Sequence, residues 1–208
     1  MRHLFIEFLT QLGSADRAHD IDHIERVVAT ARQLGKREGA ELAVLEPAAW
    51  LHDCVSVAKD HPQRKQASLL AADRAVEFLQ EINYPSQYLS AIHHAIVAHS
   101  FSANIRPESL EAKILQDADR MDALGAIGIA RCILVGGKLN RQLYSSIDPL
   151  CVDREPNDDV YTLDHFFTKL LTLGESMQTQ AAKAEAQRRS IYMRDFLVQL
   201  QSELLTQE

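Results

Sequence analysis

The chain has 208 residues, of which 46% are hydrophobic and 25% charged, with a formal net charge of −7. That is enough apolar material for a real core, in one domain or a main domain with an appended subdomain. The acidic balance excludes a broad nucleic-acid or anionic-membrane surface, while leaving room for a small basic pocket around one phosphate compound.

The elements read as helices almost throughout. In "MRHLFIEFLTQLG", Leu4, Phe5, Phe8, Leu9 and Leu12 recur at helical spacing before Gly13. The apolar core is short and broken by Glu7, so this stretch reads as a helix rather than a signal peptide. Ser14 or Asp16 can cap a second helix, with Ile21, Ile24, Val27, Val28, Ala31 and Leu34 on one face, ending near Gly39. Pro47 suits a first turn, which predicts a third helix over about 46–54. "KDHPQRKQ" is a polar loop, and a fourth helix covers roughly 66–81. After "NYPS", Ser86 caps a fifth helix that runs through His99. "SFSANIRPES" is a loop, and Pro107 or Ser109 starts a sixth helix, whose pattern continues through "KILQDADRMDALGAIGIARCIL" to "VGG". The close glycines of "LGAIGIA" lie inside that pattern and read as close packing, not as a phosphate loop.

Residues 136–162 differ. They are rich in Gly, Pro and Asp and weakly periodic, as in a long loop or insertion, a class of segment often used as a lid. Two helices follow, about 162–173 and 176–206, the last polar enough to pack on one side only. No strand alternation or internal repeat is visible, so the fold class is all-α. Three scattered cysteines, Cys54, Cys132 and Cys151, with no CxxC, fit a reduced cytoplasm. No run approaches the ~18 apolar residues of a membrane span.

Four places concentrate groups that carry chemistry. In "HDIDH", His19 and His23 are four residues apart and share a helix face. In "AAWLHDC", the pair His52–Asp53 follows a strongly apolar helix end, where an acid needs a cationic partner. "AIHHAIVAHS" places His94 and His99 near another helix end. In "LQDADRMDALGAIGIA", Asp119 and Asp122 share a stripe with Leu115 and Ala126, and Asp117 points roughly 200° away. Mixed imidazole and carboxylate donors suit Mn²⁺, Fe²⁺, Ni²⁺, Co²⁺ or Zn²⁺ better than Mg²⁺. Such an ion makes hydroxide available near neutral pH and polarises phosphoryl oxygens. The structural alternative for the same side chains is a buried hydrogen-bond network. Asp20 can orient His23 or pair with Arg26. Lys59, His61 and Arg64, just after the His–Asp pair, read either as a solvated loop or as a phosphate clamp. Lys169, a lone charge beside Phe166, Phe167, Leu170 and Leu171, either snorkels or reaches substrate. For Arg120, an ion pair with Asp117 or Glu111 is the structural alternative.

The ordered set His23, His52–Asp53 and Asp119–Arg120 within "DADRMDALGA" resembles the HD-domain metal-dependent phosphohydrolase superfamily. "LHDCVSVAKDHPQR", "AHSFSA", "AKILQDADRMDALGAIGIAR" and "LDHFFTKLL" are similar to its small, stand-alone bacterial branch, over about residues 15–200. The resemblance implies a single HD-type helical domain over 1–208, with 136–162 as the loop-rich insertion and 163–206 as C-terminal helices. It implies one divalent metal ion held by His23, His52, Asp53 and Asp119. Some HD enzymes hold two metals through extra histidines, and His99 or His94 could supply one here. Some nucleotidase relatives place a catalytic Glu shortly after the His–Asp pair, whereas this chain has Cys54, Val55, Ser56 and Val57. Asp122, His99 and His61 are therefore the candidates for general acid or base. Lys59, Arg64, His94 and Lys169 are the candidates for binding substrate. The implied activity is hydrolysis of a small phosphorylated compound, a nucleotide, with triphosphate cleaved to monophosphate and pyrophosphate. The alternative is a non-catalytic, metal-braced module that binds a nucleotide or signal. The expected partners are the small substrate and a second copy in a homo-oligomer, with no nucleic acid and no membrane.

Overall fold

The computed structural model describes residues 1–12, 21–55, 57, 66–100 and 103–204. The described residues are helical with no named strand. They fall into two compact units, Met1–Asp119 and Arg120–Glu208. No described helix is long and apolar enough to cross a membrane.

The first unit holds α1 (Arg2–Leu12), α2 (Ile21–Glu38), α3 (Leu42–Leu51), α4 (Ala67–Glu81), α5 (Leu89–His99) and most of α6 (Leu110–Met121). Its centre is α3, packed against α2 and α5, while α4 packs on α5. A helix that is apolar on every side belongs inside a core, and Val44, Leu45, Ala48, Ala49, Trp50 and Leu51 are all buried. From α1, Phe5 stacks on Trp50 and Phe8 stacks on Phe78 of α4, with ring centroids 5.9 and 3.9 Å apart.

The start of α3 departs from the sequence expectation. Glu41 caps it by accepting the Ala43 N–H at 2.9 Å, so Pro47 lies inside the helix rather than in its first turn. An internal proline leaves the carbonyl four residues earlier without its helical donor. Here that carbonyl is Ala43 O, and the Tyr84 hydroxyl donates to it at 2.7 Å. The helix continues because a tertiary donor replaces the missing one. Ser86, expected to cap α5, instead begins a short 3-10 turn (Ser86–Tyr88) that leads into it. Ser109 does cap α6, with its hydroxyl accepting the Ala112 N–H at 3.1 Å.

The second unit corrects another expectation. The apolar pattern from "KILQDADR" to "VGG" is two helices, not one. After α6 the backbone turns through Leu124, extended at φ −117° and ψ 157°, and Gly125, left-handed at φ +71°. Helix α7 (Gly125–Lys138) then begins. The glycine spacing serves this turn. A Cβ at Gly128 would lie 2.2 Å from the Ala123 carbonyl oxygen, so only glycine permits the close approach. The long final helix α9 (Gln180–Leu204) buries Ala182, Ala186, Met193 and Leu197, a single stripe, as its polar sequence predicts. Arg189 on α9 donates to Met121 O at 2.9 Å, and Arg120 donates to Ser176 O at 2.8 Å.

Between α7 and α8 (Asp164–Thr168), the segment that reads as a loose loop is stitched together. A parallel bridge joins Gln142 and Tyr161. The Asp148 carboxylate accepts the backbone N–H groups of Val152, Asp153 and Arg154 at 3.0, 2.8 and 3.1 Å. Arg154 makes a two-pronged ion pair with buried Asp164, at 2.6 and 2.7 Å, and lies over the Tyr161 ring. A 3-10 stretch, Leu170–Ser176, connects α8 to α9.

Candidate metal centre

Five donor-bearing side chains of the first unit converge, four of them near helix ends. His23 lies in the first turn of α2 and is buried. His52 caps the C-terminus of α3 and is 0% exposed, and Asp53 is the next residue. His99 is the last residue of α5, and Asp119 lies in the last turn of α6. The carbonyl ends of α3 and α5 carry partial negative charge, which adds to the carboxylates in favouring a cation.

The distances define two overlapping groups. His23 Nε2 is 3.5 Å and His52 Nε2 is 3.9 Å from Asp119 Oδ1. His52 Nε2 is also 3.7 Å from Asp53 Oδ2, and His99 Nε2 is 3.4 Å from Asp53 Oδ1. In each triad, His23–His52–Asp119 and His52–Asp53–His99, one ligand atom per residue lies within 4.8 Å of the others. Within either triad the donors are close enough for a small ion to be held.

The state of His52 tests whether an ion fits. Its Nδ1 donates to Ala49 O at 2.8 Å. A neutral ring bonded in this way presents a bare lone pair at Nε2. That nitrogen is buried without a hydrogen-bond partner and faces two carboxylates. Lone pair against carboxylate is repulsive unless a cation lies between them. Burial holds the His52 imidazole below its usual range, against the pull of Asp53. Burial also opposes protonation of His99, but its hydrogen bond to Asp53 and the Asp53 and Asp119 charges prevail and raise it. For Asp119, burial works to raise the carboxyl. The His23 hydrogen bond and the His52 and His99 charges outweigh burial and lower it. The mixed donor set of imidazoles and carboxylates fits a divalent ion of the Mn²⁺ to Zn²⁺ series.

The other sequence candidates lie elsewhere. His94 is in neither triad, and its Nε2 accepts the Glu108 N–H at 3.1 Å. Asp122, in the second unit, is buried and pairs with Arg131 Nη1 at 2.5 Å. That pair braces the α6–α7 turn. Lys169 is exposed, between α8 and the 3-10 stretch. Lys59, His61 and Arg64, like His19 and Asp20, lie outside the described residues.

Sequence reasoning offered His99 for proton transfer or for an extra metal, and the fold sets it against Asp53. It passed over Gln116, a buried residue of α6 whose side chain donates to Ala98 O at 3.0 Å and ties α6 to the end of α5 beside His99. No periodicity marks such a residue. Only the crossing of α5 and α6 does.

The HD domain family model matches residues 20–124, a span that holds all five converging side chains. YpgQ of Bacillus subtilis is 32% identical over 197 residues, which is 93% of this chain and 88% of that protein. The crystal structure of YpgQ in complex with ADP superposes with a TM-score of 0.72 at 30% identity, covering 97% of this chain and 95% of that one. An HD-superfamily hydrolase from Bacillus thuringiensis superposes with a TM-score of 0.75 at 33% identity, covering 99% of each chain. With its helical fold and its ordered histidines and aspartates, the chain belongs to the HD-domain family.

Proposed function

We propose that the protein is a divalent-metal-dependent phosphohydrolase whose substrate is a small phosphorylated compound, namely a nucleotide. The carrying observation is His52 Nε2, a buried lone pair aimed at Asp53 and Asp119 with no hydrogen-bond partner. His23, His52, Asp53 and Asp119 would hold the ion. When bound, such an ion acidifies water and draws charge from a phosphoryl oxygen. The nucleotide class is supported by the YpgQ structure, which contains ADP.

The chain's own residues then have separable tasks. Ala49 O holds the His52 ring in the tautomer that presents Nε2. The helix ends bring the carboxylates together in the folded state, so their arrangement needs no reorganisation when substrate arrives. Lys59, Arg64 and Lys169 are the cations we assign to phosphate oxygens, with His94 a further substrate contact. Proton transfer falls to Asp122, His99 or His61.

The test is product analysis. Chelator-stripped protein is resupplied with Mn²⁺ and given ribo- and deoxynucleoside mono- and triphosphates, and the products are separated by chromatography. Monophosphate plus pyrophosphate supports cleavage of triphosphates between the first and second phosphates. Nucleoside plus phosphate identifies a monophosphatase. Binding without turnover across metals and phosphoesters would refute the hydrolase and favour a metal-braced binding module.

A further inference from the structure

Helix α6 delivers Asp119 to the centre, and polar contacts hold it at three points along its length. Just before the helix, the Glu108 N–H donates to His94 Nε2 of α5 at 3.1 Å. In its first turn, Glu111 Oε1 accepts the Glu41 N–H at 3.0 Å, at the cap of α3. The third contact is buried. The Gln116 side chain is 4% exposed, and its Nε2 donates to Ala98 O at 3.0 Å. Ala98 O belongs to the last turn of α5, where carbonyls have no donor within the helix. Its peptide leads directly into His99, whose ring pairs with Asp53.

Around Gln116, the side chains of Ile114, Leu115 and Ala118 are fully buried. Apolar contact is non-directional, so these side chains resist exposure but define the helix poorly along and about its own axis. One residue of slippage moves a helix by ~1.5 Å and turns it by ~100°, whereas ligand distances at a metal site tolerate only about 0.2 Å. A hydrogen bond has a preferred length and direction. Gln116 and Asp119 are three residues apart, on one face of α6. The amide therefore fixes that face one turn from the carboxylate that meets His23 Nε2 at 3.5 Å and His52 Nε2 at 3.9 Å. We propose that Gln116 is a positioning residue for the metal centre. By tying α6 to the end of α5 it holds Asp119 and the His99–Asp53 pair in the arrangement an ion needs, and so it contributes to metal affinity and not to stability alone. This rests on the metal-centre reading above and adds no ligand to it.

Gln116→Met keeps the length of the side chain and removes the donor. Ile114→Val takes a methyl group from the same helix and is the control for lost stability without lost register. Full-length wild type and both variants are stripped of metal, and their urea midpoints, Mn²⁺ affinities by calorimetry and Co²⁺ absorption spectra are compared. The expected result is a Mn²⁺ affinity about tenfold lower in Gln116→Met, the low end of what supporting groups around a metal contribute, with altered Co²⁺ d–d bands. Ile114→Val should lose stability and keep the affinity and spectrum of wild type. Wild-type affinity and spectrum in Gln116→Met overturn the inference and leave the metal centre standing. An equal loss of affinity in Ile114→Val also overturns it, because packing would then set the register. Failure of wild type to bind either ion overturns the metal-centre reading and the inference together. If Gln116→Met does not fold, wild type decides through hydrogen exchange of the Gln116 side-chain amide with and without Zn²⁺. Coupling is reciprocal, so slower exchange on loading supports the inference, and unchanged exchange overturns it.

Discussion

The ion pair of Arg154 with Asp164 determines whether the 139–163 segment is a fixed part of its unit or a loop free to open. Asp164 is 0% exposed and Arg154 23%. The Asp164 carboxylate accepts two bonds from the guanidinium and the Asn157 N–H at 2.6 Å. Burial alone would raise its carboxyl, but Arg154, Asn157 and Cys151 more than compensate and lower it. Replacing Arg154 by Leu strands a buried carboxylate, which costs about 3–5 kcal/mol in a fully enclosed site. The solvent-facing part of Arg154 trims this to about 2–4 kcal/mol, or on the order of 10 °C in Tm for a chain of this size. Asp164→Leu should cost less, about 1–2 kcal/mol. The orphaned guanidinium can reach water and keeps Asp148 O, on which its Nε donates at 3.0 Å. The two variants also differ with pH. In wild type the depressed carboxyl contributes stability above the unfolded carboxylate range, and this is lost as pH falls through its lowered folded value. In Arg154→Leu the stranded carboxyl shifts upward, so its penalty is greatest near neutrality and relieved as pH falls toward 4. Urea unfolding at pH 7 and pH 4.5, with hydrogen exchange at Val152, Asp153 and Arg154 in wild type, reads all of this. Equal costs for the two variants, a cost below 1 kcal/mol for Arg154→Leu, or rapid exchange at those three amides would refute the reasoning.

Four further outcomes are expected. Mn²⁺ at about 100 times its Kd should stabilise wild type by about 2.7 kcal/mol and His52→Gln by almost nothing, with EDTA reversing the gain. Differential scanning fluorimetry checks this, and an equal shift in both proteins would remove His52 from the centre. Asp53→Ala should abolish hydrolysis in the chromatographic assay, and turnover at the wild-type rate would exclude Asp53 from the mechanism. Tyr84→Phe should lose about 1 kcal/mol in urea unfolding, because the Ala43 carbonyl opposite Pro47 loses its donor; no change would mean that water serves that carbonyl equally well. Burial pushes the thiols of Cys54, Cys132 and Cys151 up to about 12, 11 and 11. All three should resist DTNB at pH 8 until the protein is unfolded, and a fast-reacting thiol in the native state would contradict their environments.

Periodicity and composition were sufficient for the all-α class, the one-sided α9 and the apolar α3, because these follow from which residue types recur at helical spacing. The ordered His23, His52–Asp53 and Asp119 were legible through their resemblance to the HD-domain superfamily. The apolar helix end before His52–Asp53 added a physical reason, since such groups are costly to bury without a partner. What the sequence could not show depends on atoms far apart along the chain. Pro47 reads as a helix start until Tyr84 is seen donating to Ala43 O. Asp122 reads as the middle of one long helix until Gly125 turns the backbone and brings Arg131 against its carboxylate. His99 reads as one histidine among several until the end of α5 sets it 3.4 Å from Asp53. Residues 136–162 read as a long loop or insertion until Asp148 and Asp164 gather their backbone and Arg154. The sequence by itself determined which groups carry charge, where helices can form and which faces are apolar, since these are local properties. Only the tertiary structure decided which carbonyl each ring nitrogen meets and which carboxylate each arginine holds. Those pairings fix protonation, and with it the lone pairs that are left to face an ion.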